Sequence, residues 1–567
     1  MRPRNVPVHV EQSEAVASVR PLVLGMCVLA LIVAAADTAV AAGSAPPGVS
    51  GRSGVTSRIA WKGCGAQLQC ARVRVPLDWS RPRGATISLP VIRHLASRRG
   101  RRIGSLFVNA GGATGSVDAV RADGAGLDAL GGGRFDVVGW ALRGTGGSRV
   151  VRCFDDQRSR VRFWGGRPIP TTRSEGLRYL PKSVAYARRC GDRSGGLLAH
   201  VSTTDDARDL DHLRRLVGDR RLTYRAVSYG TFLGQTYANL FPRRVRAMAL
   251  DGLVDPRIVM QGAEARFADT VVAMDQGLAR FASRCQVAGP ARCALAGAGP
   301  VAARVGRLLE RLRRAPIPAP AAQPAGALRY GDILTALFVT LTNPAAWPQL
   351  ATDLDQATDG DGSALATQAR AVLGGVRSAA GDSTPAITCT DSPARQGPQA
   401  WPQVIRRLTR VSAIGGPFVG WASWAPCASW PARGADRYTG PWDAATPGPI
   451  LVIGTRFDPA TPYANARHVA RLLPHAVLLT HDGYGHTSEA DPSACVQRAT
   501  SAYLARLVTP PSGTVCPSDR RPFDPDFGTS VGRTAPQMTA IGAPSEAVRS
   551  AGPLAYARTR PRPAAAR

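Results

Sequence analysis

Ser228 stands in the run Tyr224-Arg-Ala-Val-Ser228-Tyr229-Gly230-Thr231, between an apolar stretch of strand length, Leu222–Val227, and a helical pattern that begins near Thr231. A strand that turns sharply into a helix at a serine reads as a nucleophile elbow. Such a turn strains the serine backbone, so the residues two positions to either side must be small. Here they are Ala226 and Gly230. The turn also lifts the hydroxyl out of the sheet and aims the Tyr229 N–H, at the helix start, toward a developing oxyanion. The plainer alternative is a glycine-containing turn that only links strand to helix.

A serine hydroxyl needs a base, and the base needs an orienting acid. In chains built around such an elbow they follow in the order Ser, Asp, His. Strand Pro449–Ile453 runs into Gly454-Thr-Arg-Phe-Asp458-Pro-Ala-Thr-Pro462, and strand Ala476–Thr480 leads to Asp482-Gly-Tyr-Gly485-His486-Thr487. Asp458 and His486 therefore each follow a strand end, in the required order. His481 is the rival base. His486 is preferred because Gly483 and Gly485 let its loop fold back over the sheet. Asp482 and Asp251 are rival acids; Asp251 ends the strand that follows the elbow helix. A second oxyanion donor is expected after strand Ser105–Val108, in Asn109-Ala-Gly111-Gly112-Ala113-Thr114-Gly115-Ser116, with Gly112 and Ala113 as the donors. As a phosphate loop this segment fails, because no Gly-Lys-Ser/Thr follows. The loop Trp140–Ser148 reads as scaffolding.

The elements that position these residues are apolar runs alternating with helical patterns, among them Val73–Leu77, Thr86–Arg93, Phe135–Gly139, Arg246–Leu250, Thr204–Val217 and Phe232–Phe241. That alternation predicts an α/β fold with a mainly parallel sheet flanked by helices. It breaks between Asp255 and about Pro449. Amphipathic segments fill that interval (Ala263–Ser283, Val301–Arg314, Tyr330–Leu341, Trp347–Asp355), with a Pro/Ala linker at Ala315–Ala327. A helical insertion between two strand groups reads as a cap over the site; a separate helical domain is the alternative. The expected organisation is a signal peptide (1–41), a linker (42–57), a first core part (58–256), the cap (257–445), a second core part (446–527) and a disordered tail (528–567).

The chain has 567 residues and a formal net charge of +31. Such a charge invites nucleic acid, but of 71 basic residues only Lys62 and Lys182 are lysines, and the arginines are scattered rather than set in a stripe with a reader motif. No nucleic-acid partner is expected. Pro21–Ala36 is apolar and uncharged, short of the roughly 20 residues of a spanning helix, and is followed by Ala39-Val40-Ala41. This is an export signal cleaved after Ala41, with an uncleaved anchor as the alternative; stable membrane insertion is not expected after cleavage. Export makes the cysteines informative. Without Cys27, ten of the 11 remain, in close sequential pairs: Cys64/Cys70, Cys153/Cys190, Cys285/Cys293, Cys389/Cys427 and Cys495/Cys516. No spacing suits zinc, so five disulfides in a secreted or cell-surface protein are expected.

These stretches together resemble the secreted tripeptidyl aminopeptidase family of α/β-hydrolases. They are VPLDWSRP at 75–82, IGSLFVNAGG at 103–112, FDVVGWALRGTGGS at 135–148, SYGTFLGQTYANLFP at 228–242, LDGLVDP at 250–256, GTRFDPATP at 454–462 and GYGHT at 483–487, with a C-terminal region from Cys495 to Cys516 and Arg521-Pro-Phe523. The resemblance implies an α/β-hydrolase fold, a Ser228–Asp458–His486 triad and release of short peptides from free N-termini, with no metal or organic cofactor. The chain departs from the family at Ala226, where glycine is usual, at Ala113-Thr114, where Pro-Gly is usual, and at Ala141, where aspartate is usual. An esterase or lipase of the same fold, or a hydrolase-fold binding protein that has lost catalysis, are the alternatives. An aminopeptidase must also meet a substrate ammonium with a carboxylate or other acceptors. Glu264 and then Asp391 are the cap acids expected to do so.

Overall fold

The apolar runs assemble into one ten-stranded sheet. In chain order the strands are β1 (Lys62–Gly65), β2 (Leu68–Pro76), β3 (Thr86–His94), β4 (Gly104–Asn109), β5 (Phe135–Trp140), β6 (Leu222–Val227) and β7 (Val245–Asp251); then a separate hairpin, β8 (Ile317–Ala319) and β9 (Gly326–Leu328); then β10 (Leu451–Phe457), β11 (Val477–Tyr484) and β12 (Val515–Pro517). The sheet order is β1-β2-β3-β5-β4-β6-β7-β10-β11-β12. From β5 to β12 every pairing is parallel, and β1, β2 and β3 are antiparallel. This computed structural model describes residues 58–166, 168–392 and 396–527. The expected leader and linker and the expected tail lie outside the described residues.

Buried parallel strands read as unbroken apolar runs because both faces are covered. Leu106 and Val108 of β4, Ala247 and Ala249 of β7, and Leu451 and Ile453 of β10 pack on one side with α1 (Val117–Leu130) and α17 (Ala494–Arg506). Their alternates Phe107, Met248, Leu250 and Val452 pack on the other with α4 (Thr203–Leu216), α5 (Tyr229–Leu240) and α15 (Tyr463–Leu472). The chain leaves β4 for β5 on one side and returns to β6 on the other. The β4/β6 boundary is therefore the switch point beyond which doubly wound sheets bind ligands.

Two helical excursions stand beyond the carboxyl ends of the strands. One, between β5 and β6, comprises α2 (Gln157–Trp164) and α3 (Arg173–Ser194). The other, between β7 and β10, comprises α6 (Pro256–Gln261), α7 (Ala263–Ala288), α8 (Val301–Arg314), α9 (Tyr330–Leu341), α10 (Trp347–Thr358), α11 (Ser363–Val376), α12 (Ser383–Asp391), α13 (Trp401–Val411), α14 (Gly415–Phe418) and the hairpin β8–β9. The hairpin corrects the reading of Ala315–Ala327 as a linker: Ile317 and Ala319 are buried while Pro318 between them is exposed, a period of two that the prolines concealed. The larger insertion has its own core, built on Phe281, Leu308, Leu334, Leu337 and Trp347. All five cysteine pairs expected from proximity are disulfide-bonded. No helix among the described residues is long and apolar enough to cross a membrane.

A buried cation knits the antiparallel edge to the parallel sheet. Arg143, fully buried after β5, makes a bidentate pair with Asp209 of α4 (2.8 and 2.7 Å). Its remaining N–H groups reach the carbonyls of Pro76 and Leu77 at the end of β2 and of His200 (3.0, 2.8 and 2.9 Å). Breaking such a pair by removing one member leaves a charge buried without a partner, which costs about 3–5 kcal/mol. Arg143→Leu should lower the urea-unfolding free energy by about that much; a loss under about 1 kcal/mol would show that the pair does not hold α4 to β2.

Candidate active site

The elbow serine takes the backbone geometry its position demands. Ser228 has φ 53° and ψ −124° and sits between the end of β6 and the first residue of α5. Its N–H donates to Asp251 O (3.0 Å), and its carbonyl accepts from Thr231 N–H (2.9 Å) and Thr231 Oγ1–H (2.6 Å). A Cβ on Gly230 would stand 2.6 Å from Asn109 Oδ1 and 2.9 Å from the Ala226 methyl. Alanine is therefore accommodated at 226 because position 230 is glycine. A Cβ on Gly111 would meet Ser228 Cβ at 3.0 Å, so the loop after β4 lies directly against the serine.

Beyond the same edge of the sheet, Asp458 follows β10 and His486 follows β11. The Asp458 carboxylate accepts from His486 Nδ1 (2.9 and 3.1 Å), Thr461 N–H (2.8 Å), Thr461 Oγ1–H (2.7 Å), Ala460 N–H (2.8 Å) and Thr487 N–H (3.1 Å). Burial pushes its carboxyl pKa up, but the His486 charge and hydrogen bond and the Thr461 donors outweigh burial and hold it below the ordinary value. Burial disfavours the charged His486 imidazole. The neighbouring Asp458 outweighs this, with help from Asp251 and Glu489, and the net shift is upward. Pairing Nδ1 with Asp458 leaves Nε2 as the ring nitrogen to take a proton.

Ser228 Oγ and the imidazole are not joined by a hydrogen bond here. Residues Asp251–Gly252, at the end of β7, bridge the two. Asp251 O receives the Ser228 N–H, and a Cβ on Gly252 would stand 3.5 Å from His486 Cε1. The Asp251 carboxylate accepts from Ser488 N–H (3.1 Å) and Oγ–H (2.6 Å) rather than from His486. Burial raises its pKa to about 6 against those bonds and the nearby Arg225. The rival residues stand apart. His481 is buried against Thr455 (3.1 Å), with its pKa lowered to about 4 by burial, and Asp482 pairs with Arg456 (2.7 Å).

In the loop after β4 the Gly111 N–H is taken by Asn109 Oδ1 (2.9 Å). Gly112 and Ala113 follow at φ 69° and 52°. A proline ring, fixed near −65°, could not take the Ala113 backbone. The Asp391 carboxylate is buried and accepts from Thr203 N–H (2.8 Å) and Oγ1–H (2.5 Å); that hydroxyl also meets Tyr229 OH (2.6 Å). The backbone of Glu264 lies in the first turn of α7, and its side chain lies outside the described residues.

Three site residues had not been read from the sequence. Thr461 orients Asp458, and its spacing in Asp458-Pro-Ala-Thr461 is a turn signature that could have been recognised. Thr342, just past α9, accepts the His486 N–H with its carbonyl (2.8 Å), and Thr384 of α12 donates Oγ1–H to Gly112 O (3.1 Å). Neither threonine carries a local signal, because both act across long sequence distances.

The alpha/beta hydrolase fold family model matches residues 106–284, and the TAP-like protein model matches residues 414–516. Serine protease Hip1 of Mycobacterium tuberculosis is 34% identical over 470 residues, covering 79% of this chain and 87% of that protein. A tripeptidyl aminopeptidase of Streptomyces lividans is 28% identical over 494 residues (81% and 86%), and carboxylesterase B of M. tuberculosis is 31% identical over 477 (79% and 86%). The chain is a serine hydrolase of the α/β-hydrolase fold.

Two outcomes are expected. The neutral imidazole is lost as pH falls through the raised His486 pKa, so the acid limb of kcat/KM should have its midpoint above the ordinary histidine value of 6.5. Asp458→Asn should bring the limb of any residual activity down; a wild-type midpoint at or below 6.5 would refute the Asp458–His486 coupling. Gly230→Ala must displace the elbow, and a shift of about 1 Å at a reacting group costs on the order of 100-fold in rate. Ester and anilide assays of the folded variant should show a loss of that order; a near-normal rate would show that the turn has slack.

Proposed function

Because this chain belongs to the α/β-hydrolase family of the tripeptidyl aminopeptidases, we propose that it is an exported aminopeptidase that releases short peptides from free N-termini through Ser228, His486 and Asp458. The supporting observation is the buried Asp458–His486 pair set beside the strained elbow of Ser228. Ser228 Oγ attacks the scissile carbonyl carbon as His486 Nε2 removes its proton. The N–H groups of Tyr229 and of Gly112 or Ala113 hold the oxyanion. His486 then gives the proton to the leaving amine, and the acyl group stays on Ser228. Water, activated by the same imidazole, releases the acyl group as the short peptide acid. Asp458 fixes the imidazole tautomer and stabilises its charged form. Five disulfides support an oxidising, extracytoplasmic location.

An aminopeptidase also needs an acceptor for the substrate ammonium. Glu264 is assigned that role because α7 begins shortly after the chain leaves β7. Asp391 is assigned instead to support of the elbow, through Thr203 and Tyr229. An esterase reading is favoured by the relative named carboxylesterase B, and substrate choice separates the two.

Purified protein should react with a fluorophosphonate probe at Ser228; absence of labelling would falsify the hydrolase assignment. Ser228→Ala and His486→Ala should each lower kcat by about 10⁴-fold or more, with the double mutant little worse, since the residues act as a unit. Asp458→Asn should be severe and Asp251→Asn milder; the reverse order would make Asp251 the orienting acid. Glu264→Gln should raise KM for free-amine peptides while sparing N-acetylated peptides and simple esters. An equal loss on all three would remove Glu264 from ammonium recognition.

A further inference from the structure

A largely enclosed cavity of about 90 Å³ lies where the two helical excursions meet. Trp164 and Tyr179 wall it from α2 and α3, Phe338 from α9, Val372 and Leu373 from α11, and Phe418 from α14. We propose that this cavity is the specificity pocket for the group attached to the attacked carbonyl, and that it takes a branched aliphatic side chain such as that of valine or leucine. The inference rests on the serine-hydrolase site proposed above and adds the substrate class.

Position is the first argument. Thr384 lines the cavity, and its hydroxyl donates to the carbonyl of Gly112, in the loop that lies against Ser228. The cavity is thus one side chain, Thr384, away from the loop that lies against Ser228. Size and charge are the second. The cavity is smaller than the ~150 Å³ apolar space that holds a benzene ring, so an isopropyl or isobutyl group suits it better than a benzyl group. Among the described lining residues the charged side chain is Arg377, whose guanidinium lies over the Trp164 ring (4.9 Å), and no carboxylate faces the space. A substrate lysine or arginine would therefore meet no carboxylate among the described lining residues.

The walls are fixed before substrate arrives. Cys153–Cys190 ties the entry to α2 to the end of α3, and Cys389–Cys427 ties α12 to the segment after α14. Arg160 of α2 makes a bidentate pair with buried Asp382, at the start of α12 (both 2.7 Å), which also accepts from Tyr186 OH of α3 (2.8 Å). A preformed apolar pocket discriminates by fit, because little ordering is needed when its ligand enters.

The test uses the whole protein with free-amine peptidyl 4-nitroanilides that carry Ala, Val, Leu, Phe, Lys or Glu at the attacked carbonyl, alongside 4-nitrophenyl acetate and isovalerate. Leu and Val should exceed Ala by about 10–100-fold in kcat/KM, with Phe, Lys and Glu below them. Ala422 lines the cavity; Ala422→Phe should abolish the Leu-over-Ala preference while retaining Ala turnover and fluorophosphonate labelling. If Ala422→Phe does not fold, Val372→Ala and Leu373→Ala enlarge the space and should raise Phe relative to Leu. A flat or Lys-led profile, or an equal loss on every substrate in Ala422→Phe, overturns the proposal. If the isovalerate preference holds while the anilides are not cleaved, the pocket stands and the aminopeptidase reading falls. If wild-type Ser228 is not labelled, both fall.

Discussion

The backbone of Ser228 is held where an L-residue rarely goes, and the geometry around the site serves to keep it there. A left-handed non-glycine position costs on the order of 1–3 kcal/mol and persists only when its surroundings over-determine it. Here β7 fixes one side through Ser228 N–H to Asp251 O, and α5 fixes the other through Thr231. Gly111, Ala226 and Gly230 leave no space for larger groups around the turn. The strain thus has a structural counterpart on three strands, β4, β6 and β7, which are neighbours in the sheet. Parallel pairing brings their carboxyl ends to one edge, where the loops that follow can converge on a single side chain.

Two buried carboxylates near one imidazole show how environment assigns roles. Asp458 and Asp251 are both removed from water, which alone would raise each pKa. Asp458 gathers donors from Ala460, Thr461 and Thr487 as well as the imidazole, so its charged form is the stable one. Asp251 is satisfied by Ser488 and offset by Arg225, and its pKa still rises to about 6. It supports the start of the helix that follows His486 and orients the ring only indirectly. The distinction lies in the donor count at each oxygen and not in distance along the chain.

Much of this was legible in the sequence because it depends on local pattern. The strand–turn–helix around Ser228, the glycines before His486 and the neighbouring cysteines each announce themselves within a few residues. The strands that carry Asp458 and His486 were placed too early. β10 and β11 extend through Thr455-Arg-Phe and His481-Asp-Gly-Tyr, where polar residues interrupt the apolar run but backbone pairing continues. The excursion α2–α3 escaped because proline interrupts its pattern at Pro181 and its charged face dilutes the apolar one. The choice of Asp391, made because it follows Cys389, could not foresee that its carboxylate accepts from Thr203. Long-range hydrogen bonds are set by the tertiary fold, and no short window of residues encodes them.

The insertion between β7 and β10 touches the surroundings of Ser228 and His486 from two directions. His486 N–H, at the turn that presents the imidazole, donates to Thr342 O in the cap, and Gly485 lies so close to Pro344 that a side chain there would collide with it. On the opposite side of the serine, Thr384 holds the carbonyl of Gly112. His486 and the loop of Gly112 are thus each fastened to the insertion by a bond that the sheet does not supply. Tyr484, two residues before His486, also meets the cap core at Trp347 (ring centroids 5.8 Å). An insertion that only covered the sheet would need none of these contacts. Their presence couples the packing that shapes the apolar cavity to the geometry of the groups around Ser228. A change in the cap that alters which substrate fits must therefore be judged also by how it moves Thr342 and Thr384.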